Sequence, residues 1–188
     1  MTPTLLTAIL WIVFVGYWLL ASRRTKRTLA VGQPQFMRMI VLASMALGPA
    51  LYYLPLSSVA CLGWRLLPAD LLFDAIALGI MVLGLSFAVW ARRTLADNWS
   101  GAVTLKEDHT LIASGPYRIV RHPIYLGVLV AMLGTATVIS EIRAFLPLLE
   151  VFGIWKKMDA EESLLRAAFP EQYAAYEKRA KRLIPGVL

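Results

Sequence analysis

The chain has 188 residues, of which 59% are hydrophobic and 16% are charged, and its formal net charge is +7 at pH 7. Soluble domains are about 45–50% apolar and about 25% charged, so this composition excludes an ordinary soluble protein. Several apolar runs approach the roughly 20 residues that a membrane-spanning helix needs, without the alternation typical of membrane strands. The sequence predicts an all-α integral membrane protein with about five transmembrane helices.

The positive charge lies in short clusters that flank the apolar runs. This placement favours the anionic headgroups of membrane lipids as partners, and argues against nucleic acid, which needs basic residues along one soluble face. Cys61 is the only cysteine, so the sequence excludes an intrachain disulfide and a multi-cysteine metal site. We predict no metal site.

Residues 1–68 are predicted to form a two-helix transmembrane hairpin, with spans at residues 3–21 and 36–56. A group of basic residues follows the first span, which indicates a retained anchor with its N-terminus outside: Arg23, Arg24, Lys26 and Arg27. A third span, at residues 69–91, carries small residues that allow close helix approach: Ala75, Ala77, Gly79, Gly84, Ser86 and Ala88.

Residues 69–188 are predicted to form the functional core. The polar stretch at residues 92–121 is too long for a simple connector and is typical of a functional loop. Apolar runs at residues 123–139 and 142–155 then suggest a helical hairpin, whose second helix continues out of the membrane. Pro170 ends that helix. A last amphipathic helix, at residues 171–183, places three residues on one face: Tyr173, Tyr176 and Arg179.

Basic residues in the connectors predict the orientation of the bundle. The first and third connectors carry several, whereas the second carries only Arg65 and the fourth only Arg143. Because basic connectors stay on the cytoplasmic side, the long loop and the C-terminal segment should share that side of the inner membrane.

The densest cluster of unusual residues lies at the start of the fourth span. Pro123 suits the first turn of a helix, which places His122 near the N-cap, beside Arg121. A cationic helix N-terminus is suited to a carboxylate or phosphate. Tyr125 should face the same pocket as His122, and Gly127 should leave room for a bulky ligand. The alternative is interfacial anchoring by the arginine, histidine and tyrosine.

A second cluster, Glu161 and Glu162, lies near the cytoplasmic end of the fifth helix. Adjacent helical positions diverge by about 100°, so we expect one carboxylate to face the bundle and the other to be solvated. The alternative is ordinary surface charge on a helix.

The two clusters together resemble the bipartite cofactor motif of the isoprenylcysteine carboxyl methyltransferase family, in the form of a prokaryotic-type member. The likeness covers roughly the C-terminal half and includes Arg-His-Pro-Ile-Tyr-Leu-Gly at 121–127, followed by an apolar hairpin and Glu161-Glu162. Segments 98–101, 115–118 and 169–179 are also similar. The chain departs from the family at Pro170, where glycine is frequent, and at Glu150, which lies deep in the fifth span.

The resemblance implies a cytoplasmic pocket, formed by the C-terminal half, that binds S-adenosyl-L-methionine and is closed by the C-terminal segment. It implies methyl transfer to the carboxylate of a lipophilic, isoprenylcysteine-like substrate, small or protein-bound, that enters from the lipid. The implied cofactor-binding residues are Gly115, Pro116, Tyr117, Arg121, His122, Pro123, Tyr125, Gly127, Glu161 and Glu162. Arg118 and Arg179 would hold the acceptor's carboxylate as catalytic residues.

Two alternatives remain at this stage. An amine or phospholipid N-methyltransferase could share the cofactor pocket, but it would need a base because amines are protonated at neutral pH. A non-catalytic or reductase-like membrane bundle could bind a nicotinamide cofactor instead, although the sequence has no dinucleotide-binding glycine fingerprint.

Overall fold

The computed structural model describes residues 2–22, 28–31, 52–54, 60–68, 70–96, 104–106 and 110–187. Within these ranges the α-helices are α1 (Pro3–Ser22), α2 (Leu71–Leu95), α3 (Pro123–Ile139), α4 (Val151–Ala168) and α5 (Pro170–Arg179). Short 3-10 helices span Ala60–Gly63, Gly115–Arg118 and Ile142–Glu150. A two-stranded antiparallel ribbon of β1 (Thr28–Val31) and β2 (Thr104–Lys106) is an addition to the predicted helices.

The membrane character of the chain is carried by its first two long helices. In the part of the chain that the structure describes, Pro3–Ala21 and Leu71–Leu95 are long and apolar enough to cross a bilayer, and α3 is a shorter apolar helix. Large apolar side chains on α1 and α2 point outward, as at Ile12 and Leu83. The chain is an integral membrane protein. The predicted span at 36–56 falls almost entirely outside the described residues, so the count of five stays a prediction.

The predicted fifth span is not a continuous α-helix. It begins as the 3-10 helix Ile142–Glu150, which contains Pro147, and becomes α-helical only at Val151. Proline lacks the backbone N–H that an α-helix requires in its interior, which accounts for the interruption. Glu150 lies at this junction and is partly exposed.

Helices α2 and α3 pack backbone against backbone through small residues. A Cβ atom at Gly84 would lie 2.5 Å from the carbonyl oxygen of Gly127, and one at Gly134 would lie 2.7 Å from that of Ala77. The close approach expected of the third span is therefore present. A Cβ at Gly127 would meet the backbone nitrogen of Ala88 at 2.7 Å. The expectation that Gly127 leaves room for a ligand is wrong, because α2 fills that space.

The connectors pair at two opposite ends of the helices. The segment after the predicted second span meets the connector between α3 and α4: the Leu66 N–H donates to Ser140 O at 2.7 Å, and the Ile142 N–H donates to Trp64 O at 3.2 Å. The β1–β2 ribbon joins the connectors that follow α1 and α2, and α4 contacts β2. Helices that cross a bilayer in alternate directions place every second connector on the same side, and the connectors pair here in that way.

Candidate active site

The start of α3 presents a histidine to the polar C-terminal part of α4. Pro123 occupies the first turn and His122 is the N-cap residue, as the sequence predicted. The His122 side chain does not cap its own helix. It is 6% exposed, and its ring stacks on that of Tyr125 with centroids 5.6 Å apart. The two side chains therefore face the same side, as their spacing indicated.

Both acidic residues of α4 contact the same imidazole. His122 Nε2 lies 3.1 Å from Glu162 Oε1, and His122 Nδ1 lies 3.5 Å from Glu161 Oε2. The expectation that only one of the two carboxylates faces the bundle is wrong. The two nitrogens lie on opposite edges of the ring, so one histidine bridges carboxylates that diverge around the helix.

Glu162 is enclosed by cations. Besides His122, its carboxylate accepts a hydrogen bond from Arg121 Nε at 3.0 Å and from Arg166 Nη2 at 2.9 Å. Arg182 Nε also lies 3.3 Å from Glu162 Oε1. The side chain is 4% exposed. These contacts surround the carboxylate and fix α4 against the start of α3.

Glu161 has a more open environment than its neighbour. Its side chain is 25% exposed. The Tyr125 hydroxyl donates to Glu161 Oε1 at 2.6 Å, and Lys157 Nζ lies 4.0 Å from the same oxygen. Of the two carboxylates, Glu161 is the more exposed.

Interactions within the cluster favour the ionised forms of His122, Glu161 and Glu162. Burial lowers the pKa of His122, but the hydrogen bonds and charges of Glu161 and Glu162 outweigh it and raise that pKa above 6.5. Burial raises the pKa of Glu162, but hydrogen bonds from His122 and Arg121 prevail and lower it from 4.5 to about 2. Burial also opposes ionisation of Glu161, whose pKa is nevertheless lowered, first by His122 and then by Lys157. The cluster holds charges of both signs at neutral pH.

These shifts predict that the ligand-free protein loses stability as the pH rises above 6.5 and passes through the raised pKa of His122. The raised pKa of His122 contributes stability that is full below its unfolded value of 6.5 and is lost above the folded value. The lowered pKa of Glu162 contributes stability above 4.5 that is lost only on approach to about 2. Thermal unfolding in detergent should show the decline, and His122→Gln should flatten it. Equal slopes for the two proteins would contradict this origin.

The C-terminal segment is attached directly to the start of α3. The Arg121 N–H donates to Lys181 O at 2.7 Å, and the His122 N–H donates to Arg182 O at 3.1 Å. These two backbone N–H groups lie just before the first turn of α3 and are occupied by the C-terminal segment. Arg121 Nη1 also donates to Ala180 O at 2.9 Å. Helix α5 ends at Arg179 rather than at 183 because the following residues are extended along this edge.

The segment before the histidine is shaped by packing. Gly115 has a φ of +58°, and a Cβ there would lie 3.2 Å from Thr94 Oγ1. Pro116 is buried, and Tyr117 packs with residues at the end of α2 and the start of α3. Burial raises the pKa of Tyr117, and the charge of Glu161 raises it further, so this ring lies near the acidic cluster. Gly115 and Pro116 set the path of the chain that places Tyr117.

The two arginines predicted to hold the acceptor are on the surface. Arg118 is exposed on the 3-10 helix, and Arg179 is exposed at the end of α5. Tyr173 and Tyr176 are buried, and the Tyr176 hydroxyl donates to Tyr117 O at 2.7 Å. The inward face of α5 is thus formed by its tyrosines.

Three basic residues of the cluster were missed by the sequence analysis. Lys157 precedes Glu161 by four residues and Arg166 follows Glu162 by four, which is the spacing of neighbours on one helix face. That spacing could have identified both. Arg182 contacts Asp159, and its guanidinium lies 4.6 Å from the centre of the Trp155 ring. No local pattern indicates these contacts, since they depend on how the C-terminal segment returns to α4.

The described ranges contain no group of three or more histidine, cysteine, aspartate or glutamate residues arranged to hold a metal ion. Segment 98–101, which the sequence analysis singled out, lies outside the described residues.

Comparisons with known proteins find similarity to one methyltransferase family and to a metal-resistance protein. Residues 76–167 match the model of the isoprenylcysteine carboxyl methyltransferase (ICMT) family. The chain is 30% identical over 119 residues to the protein-S-isoprenylcysteine O-methyltransferase of Schizosaccharomyces pombe, covering 60% of this chain and 50% of that protein. It is 31% identical over 106 residues to the cobalt-zinc-cadmium resistance protein CzcN of Cupriavidus metallidurans, covering 55% and 47%.

The fold is similar to that of the eukaryotic intramembrane Ras methyltransferase ICMT. The TM-score is 0.59 at 23% sequence identity, over 82% of this chain and 54% of that one. The chain thus spans about half the length of the relatives it matches. The structural likeness shows a shared membrane fold.

Proposed function

We propose that this chain, whose residues 76–167 match the model of the isoprenylcysteine carboxyl methyltransferase family, is a member of that family and an S-adenosyl-L-methionine-dependent methyltransferase. Its proposed acceptor is the carboxylate of a lipophilic, isoprenylcysteine-like molecule in the membrane. The observation that supports this proposal is the contact of His122 with both Glu161 and Glu162, which joins a cationic helix start to an acidic helix end.

The cluster fits the amino-acid end of the methyl donor, which carries an ammonium and a carboxylate. Glu161, the more exposed carboxylate, would receive the ammonium, and His122 with its raised pKa would receive the carboxylate. Tyr125 would form a wall of the pocket, with Tyr117 nearby. Arg121 and Glu162 would hold His122 in place through their mutual contacts. When bound, the donor supplies an electrophilic methyl group on its sulfonium.

Transfer to a carboxylate requires little acid–base chemistry from the protein. An unperturbed carboxyl group has a pKa of about 3.5 and is ionised at neutral pH, so no general base is required. The protein has to align the two substrates and exclude water, which can itself contribute several kcal/mol. Exposed Arg118 and Arg179 would attract the acceptor's carboxylate toward the site.

The proposed orientation follows the basic connectors. The N-terminus would be outside, and the long loop, α5 and the His122 cluster would lie at the cytoplasmic face of the inner membrane. The pairing of β1 with β2 supports a common side for the first and third connectors.

The test is methyl transfer by the purified protein in lipid vesicles with a labelled methyl donor. We expect label on an S-farnesylated cysteine derivative but not on phosphatidylethanolamine, at a rate that is nearly flat around neutral pH. A rate that rises steeply with pH, with label on the amine, would favour N-methylation. Binding of a nicotinamide cofactor in place of S-adenosylhomocysteine would contradict both.

A further inference from the structure

Residues 184–187 form an ordered turn that presents two apolar side chains outward. The Val187 N–H donates to Ile184 O at 3.1 Å, which closes a four-residue turn. Pro185 suits the second position of such a turn, and Gly186, whose φ is +78°, suits the third. Ile184 is 46% exposed and Val187 is 71% exposed. The turn therefore holds two exposed apolar residues together as one small patch.

The chain that leads into this turn runs in the same direction as the chain that enters α3. Val120 and Lys181 form a parallel bridge, and the His122 N–H donates to Arg182 O. Residues 120–122 continue into α3, an apolar helix that packs along the membrane-spanning helix α2. The residues that follow Lys181 therefore advance toward the bilayer, beside the first turn of α3.

The surroundings of the turn are basic and partly apolar. Lys181 and Arg118 are exposed, and Ile119, which precedes the bridge residue Val120, is 44% exposed. Segments that combine basic and apolar side chains bind at the boundary between lipid headgroups and acyl chains. Each lysine or arginine near such a surface is attracted by anionic lipid. The charge and the apolar patch thus both suit an anionic bilayer.

We propose that the turn at residues 184–187 inserts Ile184 and Val187 into the interface of an anionic lipid bilayer, with Lys181 at the phosphate groups. The preceding residues accept the Arg121 and His122 N–H groups through their carbonyl oxygens. The lipid thereby helps to hold this segment against the start of α3. This contact is additional to the membrane-spanning helices, and it does not depend on the proposed methyl transfer.

The accessibility of a spin label at residue 187 tests this proposal. The only cysteine, Cys61, is replaced by serine, and Val187→Cys in the full chain is labelled with a nitroxide in vesicles that contain phosphatidylglycerol. Oxygen concentrates among the acyl chains, whereas a nickel chelate stays in water. The ratio of oxygen to nickel collisions should exceed that of a label at Ser163→Cys about fivefold or more. Ser163 is exposed on the polar part of α4, and Leu83→Cys on α2 gives the value for lipid.

The charge of the lipid should affect the depth of the turn. In vesicles of phosphatidylcholine alone, the collision ratio at residue 187 should fall toward the value for water. Lys181→Gln should lower the ratio in vesicles with phosphatidylglycerol and leave it unchanged in those without, because only the anionic surface attracts the lysine. Ile184→Cys repeats the measurement at the other end of the turn, so the result does not depend on one variant.

A label at residue 187 that is as accessible to nickel as the label at residue 163 would place the turn in water and overturn the proposal. Shielding from both oxygen and nickel would also overturn it, because a protein surface, such as a second copy of the chain, would then cover the turn. A collision ratio that is the same with and without phosphatidylglycerol would refute the role of anionic headgroups.

Discussion

Glu161→Gln should weaken the binding of S-adenosylhomocysteine about tenfold or more while lowering the melting temperature less than Glu162→Gln does. A hydrogen bond to a charged group contributes about 1.5–3 kcal/mol, and removal of the charge should lose most of it. Stability should fall less than for Glu162→Gln because a quarter of the Glu161 side chain is exposed, and an amide can still accept a hydrogen bond from the Tyr125 hydroxyl. Calorimetric titration and thermal unfolding measure the two effects.

The neighbouring substitution Glu162→Gln is the matched control. Glu162 is buried among Arg121, His122 and Arg166, and loss of one partner from a buried ion pair costs about 3–5 kcal/mol. We expect a melting temperature lower by roughly 6–20 °C. Equal losses of affinity and stability in both variants would contradict the division of roles between the two carboxylates.

Gly84→Ala should be among the most destabilising single substitutions in the protein, by about 3 kcal/mol or more. The new Cβ would lie 2.5 Å from Gly127 O and 2.6 Å from the Ala131 nitrogen. Both are backbone atoms, so the clash is relieved only by separating α2 from α3. Because α3 begins at the histidine cluster, donor binding should weaken as well.

Gly79→Ala, on the same helix, is the control for this substitution. A Cβ at Gly79 would meet nothing within 4 Å, and alanine is favoured over glycine in a helix by about 0.5–1 kcal/mol. We expect equal or higher stability. Unfolding in detergent compares the pair, and similar stabilities of the two variants would show that α2 and α3 are not in backbone contact.

Local chemistry predicted the start of α3 and the end of α4 correctly. Pro123 at the first turn and His122 at the N-cap follow from the missing N–H of proline. Pro170 separates α4 from α5 in the same way, since it occupies the first turn of α5. That position tolerates proline, which explains how the chain accommodates it where the family often has glycine.

The sequence alone did not predict the features that depend on tertiary packing. The meeting of His122 with Glu161 and Glu162 was expected from the family resemblance, but contact with both carboxylates depends on where the ring lies between two helices. The role of Gly127 was misread because sequence spacing does not tell whether a helix or a ligand fills the space beside a glycine.

The Arg121 and His122 N–H groups donate hydrogen bonds to the carbonyl oxygens of Lys181 and Arg182. These residues are far apart in the sequence, so local patterns did not indicate the contacts. These bonds attach the C-terminal segment to the start of α3.

The structure of the protein with bound S-adenosylhomocysteine tests the account most directly. We predict density for the amino-acid end of this molecule next to Glu161 and His122, with its ammonium within hydrogen-bonding distance of the Glu161 carboxylate. Density at a site remote from both residues, with the His122–Glu161 contact unaltered, would contradict the account.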